Sequence, residues 1–384
     1  MPAADPRRRT VIAVVSDAIF PYHKGGKEVR YRDLVQRLAA AGYEVHVYTM
    51  HWWDGPAERT EDGVTYHALC RRHPLYVASG RRSVLEAVAF SLACFRLLFR
   101  SFDVLEADHM PYLQLFPLRL VAWLKRRRLC VTWHEVWGRD YWRRYFGRWG
   151  LLGAAIERLA MNVPDQIVTD AEMTRERLID CGVPAARISM IPVGVDRGEI
   201  EAAPPSASRF DVVYVGRLVE HKGVDVLLGA VAELRARGRA VSCGVVGSGP
   251  ERDRLERLAG ELGVLEQVRF LGNVESQSDV YGLMKSAGVL ALPSVREGFG
   301  VVVVEALMCG TPVITTDHPD NHSRLLLEDG ANGLICTPTV GALADAIHRC
   351  LDRQGGIAVD VDAVHRAHDG AGLLDQLRTV YETV

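Results

Sequence analysis

Glu297 and Glu305 stand eight residues apart in the run Pro293-Ser-Val-Arg-Glu-Gly-Phe-Gly-Val-Val-Val-Val-Glu-Ala-Leu-Met-Cys-Gly310. Gly298 and Gly300 follow the first of them closely. Glycine lets a backbone take unusual angles and come close to a ligand. A helix starting just after Gly300 would offer unpaired N–H groups and its positive dipole end to an anion. Glu305, about one turn inside, would project an acceptor toward the same place. Amides for phosphate and carboxylates for hydroxyls suit a sugar nucleotide. A plainer reading stands beside this one: four consecutive valines have strand character, and residues 301–307 could be a buried strand with Glu305 near its end.

Other segments carry weaker versions of the same chemistry. Arg217 and Lys222 lie five apart in a loop bounded by Gly216 and Gly223. An arginine fork and a lysine point charge could neutralise a diphosphate there, although the loop could equally be an ordinary solvated one. Gly25-Gly26 and Gly247-Ser-Gly-Pro250 each follow a strand-like run and would serve either as phosphate-approach loops or as turns. His134, in Thr132-Trp-His-Glu135, can donate or shuttle a proton from the end of a strand, or be a structural histidine. Asp108-His109 is a similar pair. These three groups with Glu135 lack the spacing of a metal site. No G-x-G-x-x-G follows the first strand and no G-x-x-x-x-G-K-[ST] occurs, which argues against a standard NAD half and a P-loop. Residues 125–149 interleave Arg and Lys with Trp, Tyr and Phe. They could touch anionic lipid headgroups, stack on sugars, or form helices with a solvated basic face.

The positioning elements alternate strand and helix. Runs at 11–15, 44–50, 103–105, 129–133 and 166–169 read as strands, with a helix at 27–41 stopped by Gly42. A small, polar and proline-rich stretch at 199–209 reads as a linker. A second series then begins, with strands at 210–215, 241–246, 268–271, 289–292 and 313–315 and helices at 224–237 and 279–286. This order implies two doubly wound parallel sheets, with ligands at the carboxyl ends of the strands and a cleft where the halves face each other.

Composition adds bounds. The chain has 384 residues, 48% hydrophobic and 24% charged, with a net charge of −2. That is ordinary for a folded protein and exerts no global pull on nucleic acid. Eight cysteines stand singly, without C-x-x-C, which favours a reducing cytoplasm. Residues 1–10, with basic Arg7 to Arg9, do not read as a signal peptide. The apolar stretch 84–99, broken by Glu86 and Arg96, is too short and charged to span a bilayer and reads as an amphipathic or buried helix.

In order, these pieces resemble the retaining glycosyltransferases of family 4, with the α/β GT-B fold of two Rossmann-like domains facing a central cleft. The resemblance rests on Gly25-Gly26, His134, Tyr214-Val-Gly-Arg-Leu218 with Lys222-Gly223, Val246-Gly-Ser-Gly-Pro250, Phe270-Leu-Gly-Asn-Val274, and Glu297-Gly-Phe-Gly with Glu305-Ala-Leu. It implies an acceptor-binding domain at 1–203, a donor-binding domain at 204–365, and a helix at 366–384 packing back toward the first. It implies catalytic positions for His134, Glu297, Arg217 and Lys222, with Arg217 and Lys222 on the donor diphosphate. Glu305 would hold the ribose and Glu297 the transferred sugar. Phe299, Gly300 and Val301 would line sugar and phosphate, Asn273 and Val274 would brush the base, and Gly25, Gly26 and Gly247 would approach the phosphates. Asp108, His109 and Glu135 would face the acceptor.

No metal or cofactor is implied beyond the UDP- or GDP-linked sugar. The acceptor would be a lipid-linked or cell-envelope glycan or a small natural product. Peripheral contact with the inner face of an anionic plasma membrane follows from 125–149. Family members often carry Gly-Gly and a glutamate where this chain has Asp317-His-Pro-Asp-Asn-His-Ser-Arg324, so no sugar identity transfers. A sugar-nucleotide epimerase of the same fold and a catalytically silent nucleotide-sugar-binding protein are the rival readings.

Overall fold

In the computed structural model the described residues are 9–23, 25–77, 81–191, 195–274, 276–352, 357–368 and 370–383. Arg7 and Arg8, from the basic start of the chain, lie outside them. Two units separate, residues 1–194 with 371–384, and residues 195–370.

The first unit is built on strands β1 (Val11–Val15), β2 (Glu44–His51), β3 (Glu58–Glu61), β4 (Val64–Arg71), β5 (Val104–Asp108), β6 (Leu129–Trp133), β7 (Gln166–Thr169) and β8 (Ile188–Met190). Their order is β3-β4-β2-β1-β5-β6-β7-β8, parallel except that β3 runs antiparallel to β4. The covering helices are α1 (Gly26–Ala40), α2 (Val84–Ala93), α3 (Leu115–Lys125), α4 (Gly138–Phe146), α5 (Gly150–Ala160) and α6 (Glu172–Asp180). In β1, side chains alternate between two cores: Ile12 and Val14 meet α1, while Val11, Ala13 and Val15 meet the side packed by α2 and α3. Burial on both faces explains why the strand reads as an unbroken apolar run.

The second unit has strands β9 (Phe210–Val215), β10 (Cys243–Val246), β11 (Val268–Gly272), β12 (Ala287–Leu292), β13 (Val313–Thr316) and β14 (Gly333–Cys336), all parallel, in the order β11-β10-β9-β12-β13-β14. Its helices are α7 (Arg197–Ala202), α8 (Val224–Ala236), α9 (Arg252–Glu261), α10 (Gln277–Lys285), α11 (Val301–Met308), α12 (Val340–Leu351) and α13 (Val361–Ala367). The final helix, α14 (Gly370–Thr383), belongs to the first unit: Leu377, Val380 and Tyr381 are buried against α1 and β1, and the Tyr381 hydroxyl donates to the buried Glu106 at 3.4 Å.

Several expectations shift. The valine run is helical, because Val303, Val304, Ala306 and Leu307 all enter the core of the second unit, and burial outweighs β propensity. The expected linker at 199–209 is not free chain. Ile200 and Ala203 are buried in the second unit, and Lys285 donates to the Ile200 and Ala203 carbonyls at 2.5 and 2.6 Å. The break therefore falls near 195, ahead of α7. Strands β3, β4, β8 and β14 escaped the sequence reading, and β5 runs on to include Asp108. Residues 84–99 form α2 and a 3-10 turn, Cys94–Phe99, that bury Phe90, Cys94 and Leu97 but expose Leu85, Leu92 and Phe99.

Five charged side chains are sequestered where β1, β5, α1 and α2 converge. Lys27 lies 2.6 Å from Asp17 and 2.5 Å from Asp108, and Arg82 pairs with Asp17 and approaches Glu86 to 3.5 Å. Burial would raise the carboxyls of Asp17 and Asp108, but Arg82 and Lys27 at the first and Lys27 with His109 at the second hold both below the ordinary range. Glu86 differs. Burial first and the charge of Asp17 second push its carboxyl up to about 8, against the pull of Arg82.

Two measurements test this packing. Lys285→Met keeps the apolar stem but removes the donor from α7, and should lower unfolding free energy by about 1–3 kcal/mol; an unchanged denaturant midpoint would eliminate Lys285 as the tie. Glu86 has a folded value above its unfolded 4.5, so its contribution is complete below that pH and fades as pH rises toward 8. Asp17 and Asp108, with depressed values, lose theirs only in acid. Between about pH 5 and 8, wild type should lose stability relative to Glu86→Gln by up to about 1.4 kcal/mol per pH unit. Parallel pH profiles for the two proteins would rule this out.

Candidate functional site

In each sheet the strand order reverses at one place, between β1 and β5 in the first unit and between β9 and β12 in the second. Loops leaving the carboxyl ends of those strands diverge and leave room for a ligand. Arg217, Lys222 and Glu297 fall on these loops, while His134, Gly247, Asn273 and Val274 follow neighbouring strands and Glu305 lies within α11.

In the second unit, Lys222 ends the turn after β9 and Glu297 lies in the loop after β12. Their side chains meet at 2.5 Å, 17% and 9% exposed. Glu297 Oε1 also accepts from the Ser294 hydroxyl at 2.7 Å. The backbone of Glu297 is clamped as well, its N–H donating to the Asp320 carbonyl and its carbonyl accepting from the His322 N–H. Asn321 beneath it is buried, giving its amide to Thr315 Oγ1 at 2.9 Å and the Thr316 carbonyl at 2.8 Å, and accepting from Ser323 Oγ at 2.7 Å. The 317–324 stretch, where the chain departs from the family pattern, thus supports the Glu297 loop from below.

Gly300 caps α11 at φ +86°, and a Cβ there would lie 2.5 Å from the Ser323 Cβ. Both constraints require glycine, and they aim the first-turn amides of Val301 and Val302 outward from the helix end. Phe299 packs its ring near His368 at 6.0 Å and is partly buried with Val301. Glu305 sits in the second turn of α11, accepting from Gln277 at 3.0 Å and from the Tyr281 hydroxyl at 3.3 Å. Burial and this carboxylate together push the Tyr281 hydroxyl far up.

Arg217 is exposed on the loop after β9, its carbonyl accepting from the Tyr214 hydroxyl at 2.8 Å. That loop is laced to the next: Leu218 N–H donates to Ser248, Gly216 N–H to Val246, and Gly247 N–H to Gly272. A Cβ on Gly247, at φ +128°, would fall 1.9 Å from the Gly216 carbonyl oxygen. Asn273 and Val274 follow β11 on the same edge. His221, beside Lys222, is held to about 4 by burial first and by the lysine charge second, so it is neutral at pH 7.

In the first unit, Gly25 caps α1 and its N–H donates to Glu28 Oε2 at 3.0 Å, which occupies one of the amides expected to face phosphate. Gly26 begins the helix. His134 follows β6, and its Nδ1 lies 3.1 Å from Asp170 Oδ2. Arg30 reaches the same oxygen at 2.8 Å and, with His134, holds that carboxyl low against burial. Asp170 therefore accepts a hydrogen bond from Nδ1–H, and Nε2 has no partner among the described residues. Asp108 and His109 are buried and bonded to each other at 3.1 Å, with the His109 ring 5.6 Å from that of His134. They lie beneath His134 rather than on an open surface. Glu135 turns away to accept from Trp137 Nε1 at 2.5 Å.

Most of the aromatic half of 125–149 is packed together, with Trp149 left exposed. Trp137 packs on Tyr141, Trp142 and Tyr145 with centroids 4.6–5.0 Å apart. Glu157 fixes this cluster through the Trp137 and Gly138 amides and Trp142 Nε1. The sequence reading missed Asp170, Ser294, Asn321, Gln277 and Tyr281. Only Asp170 had a signal, its place directly after a strand.

Residues 24–199 match the family described as Glycosyltransferase Family 4, and residues 196–361 that described as Glycosyl transferases group 1. The D-inositol 3-phosphate glycosyltransferase of Mycolicibacterium smegmatis is 31% identical over 56% of this chain, and the chain spans about half (52%) of that relative's length. The GDP-mannose-dependent alpha-(1-6)-phosphatidylinositol monomannoside mannosyltransferase of the same organism is 27% identical over 91% of this chain and 92% of its own. In structure, the sucrose-phosphate synthase of Thermosynechococcus elongatus superposes with a TM-score of 0.80 at 22% identity, covering 98% of this chain and 99% of that one. Two parallel-sheet α/β units, site loops at the strand reversals and two adjoining matches that run from 24 to 361 lead to one placement: the chain belongs to the family 4 glycosyltransferases of the GT-B fold.

Proposed function

We propose that this protein transfers a sugar from a UDP- or GDP-linked donor to a hydroxyl acceptor with retention of anomeric configuration. The observation that carries the reading is the Lys222–Glu297 pair beside the Gly300-capped end of α11. One strand reversal thus brings together a cation and helix amides for a diphosphate and a carboxylate for sugar hydroxyls. Arg217, on the same loop as Lys222, adds a second cation. Glu305, its carboxylate oriented by Gln277 and Tyr281, serves the ribose. Asn273 and Val274 lie toward the base, and Gly247 keeps the neighbouring loop close. The GDP-mannose named for one relative supports a nucleotide-linked donor.

In this mechanism the bond from the anomeric carbon to the diphosphate oxygen breaks as the acceptor oxygen forms its bond on the same face. The acceptor proton passes to the departing diphosphate. Arg217, Lys222 and the α11 amides stabilise the charge that develops there, so no metal and no enzyme nucleophile has a role. His134, with Nε2 free to accept, orients the reacting sugar through its hydroxyls. The acceptor is a lipid-linked or cell-envelope glycan or a small natural product. Eight unpaired cysteines suit work in a reducing cytoplasm.

Removing either Lys222 or Arg217 as alanine should lower turnover by about 10²–10³; near-normal turnover in both variants would end this assignment. A thermal-shift series of nucleotides and nucleotide sugars should find one base preferred, with ligand at 100 times its dissociation constant adding about 2.7 kcal/mol. No stabilisation by any nucleotide would remove the donor site.

A further inference from the structure

Two neighbouring helical runs of the first unit are apolar on the outside as well as the inside. Along α2 and the following turn, Leu85, Val88, Leu92, Phe95 and Phe99 recur every three or four residues, one stripe of a helix. All five are exposed, Leu85 to 72%, Leu92 to 63% and Phe99 to 88%. On α3, packed alongside, Phe116, Leu120, Trp123 and Leu124 form a second exposed stripe, Trp123 to 67%. The opposite sides of these helices already fill the core with Phe90, Leu97, Leu118 and Val121. The outer stripes therefore add nothing to folding, and a contiguous apolar face of this kind marks an interaction surface.

The charges beside it indicate what covers it. Residues 81–128 hold nine Arg and Lys against four Asp and Glu, and three of those acids, Glu86, Glu106 and Asp108, are buried. Arg100 ends the α2 run and Arg126 ends α3, just before the paired strands β5 and β6, so both sit at one edge of the face. Arg127 reaches Asp103 there at 2.9 Å. Four arginines (119, 126, 127 and 128), Trp123, Leu124 and one acid, Asp165, which pairs with Arg119, line a depression of about 570 Å³. A second copy of the chain docked on this face would bring like charges together. Anionic lipid offers phosphate to the arginines and acyl chains to the stripes. Among the described residues no helix is long and apolar enough to cross a membrane, so the contact is with one leaflet.

We propose that the α2–α3 face docks on an anionic bilayer, with its leucines, phenylalanines and Trp123 at the acyl boundary and Arg100, Arg126 and Arg128 against lipid phosphates. The face lies apart from the residues assigned to the reaction, and the proposal does not depend on that reaction.

Flotation of the full chain with vesicles of phosphatidylcholine alone, or mixed with phosphatidylglycerol, tests it. Wild type should float with the mixed vesicles and stay behind with the neutral ones. Leu85→Glu/Leu92→Glu/Phe99→Glu and, separately, Arg100→Glu/Arg126→Glu should each lower partitioning about tenfold or more while keeping the wild-type melting temperature. Failure of wild type to float with anionic vesicles, or variants that float as well as wild type, would overturn the proposal. So would a dimer in light scattering that the leucine-to-glutamate variant dissolves while no vesicles bind.

Discussion

The second unit is organised around one buried ion pair. Lys222 and Glu297 come from loops leaving different strands, and neither loop is regular enough to hold its side chain alone. Removing two charges from water is costly unless further hydrogen bonds complete the set. Here Ser294 supplies one to the carboxylate, and the Asp320–His322 backbone fixes the chain that carries it. The stretch beneath, Asn321 to Ser323, therefore serves geometry: Asn321 reads two β13 threonines, and Ser323 fills the space that only a glycine at 300 leaves open. In the proposed reaction, a diphosphate arriving at Lys222 would meet a cation already oriented by its countercharge, which limits the reorganisation needed on binding.

The first unit uses buried charge differently. Lys27, Asp17, Asp108, Arg82 and Glu86 tie β1, β5, α1 and α2 together at its strand reversal. Beside them Arg30 and Asp170 orient His134. The first set determines where α1 begins, and with it where Gly25 and Gly26 lie. The second determines which histidine nitrogen is offered. One network builds the support and the other aims a side chain, and both stand at strand ends because parallel strands discharge their loops there.

Legibility in the sequence followed the type of force. Alternating strands and helices, the site loops and Glu305 on a helix could be read because periodicity and glycine placement are local signals. The domain break could not. Residues 199–209 look like a linker by composition, yet Lys285, some eighty positions away in the chain, binds the α7 carbonyls. The short strands β3, β8 and β14 carry little pattern of their own and exist through pairing. Residues 125–149 invited a membrane reading for their aromatics; Trp137 and Trp142 are turned inward by Glu157, Trp149 stays exposed, and a further exposed apolar face lies on α2 and α3.

Glu297 and Glu305 mark the division most clearly. The sequence by itself determined that two carboxylates flank a glycine-led segment after a strand, downstream of Arg217 and Lys222, because residue type and spacing are written in the chain. It set the strand preference of four valines against their place after Gly300 and downstream of Arg217 and Lys222, which favoured a helix held by tertiary packing. Only the tertiary structure shows what holds that helix, the burial of Val303, Val304, Ala306 and Leu307 in the core of the second unit. It also chose the partners, Lys222 and Ser294 for one glutamate, Gln277 and Tyr281 for the other. Such contacts join residues tens of positions apart, and no local preference encodes them.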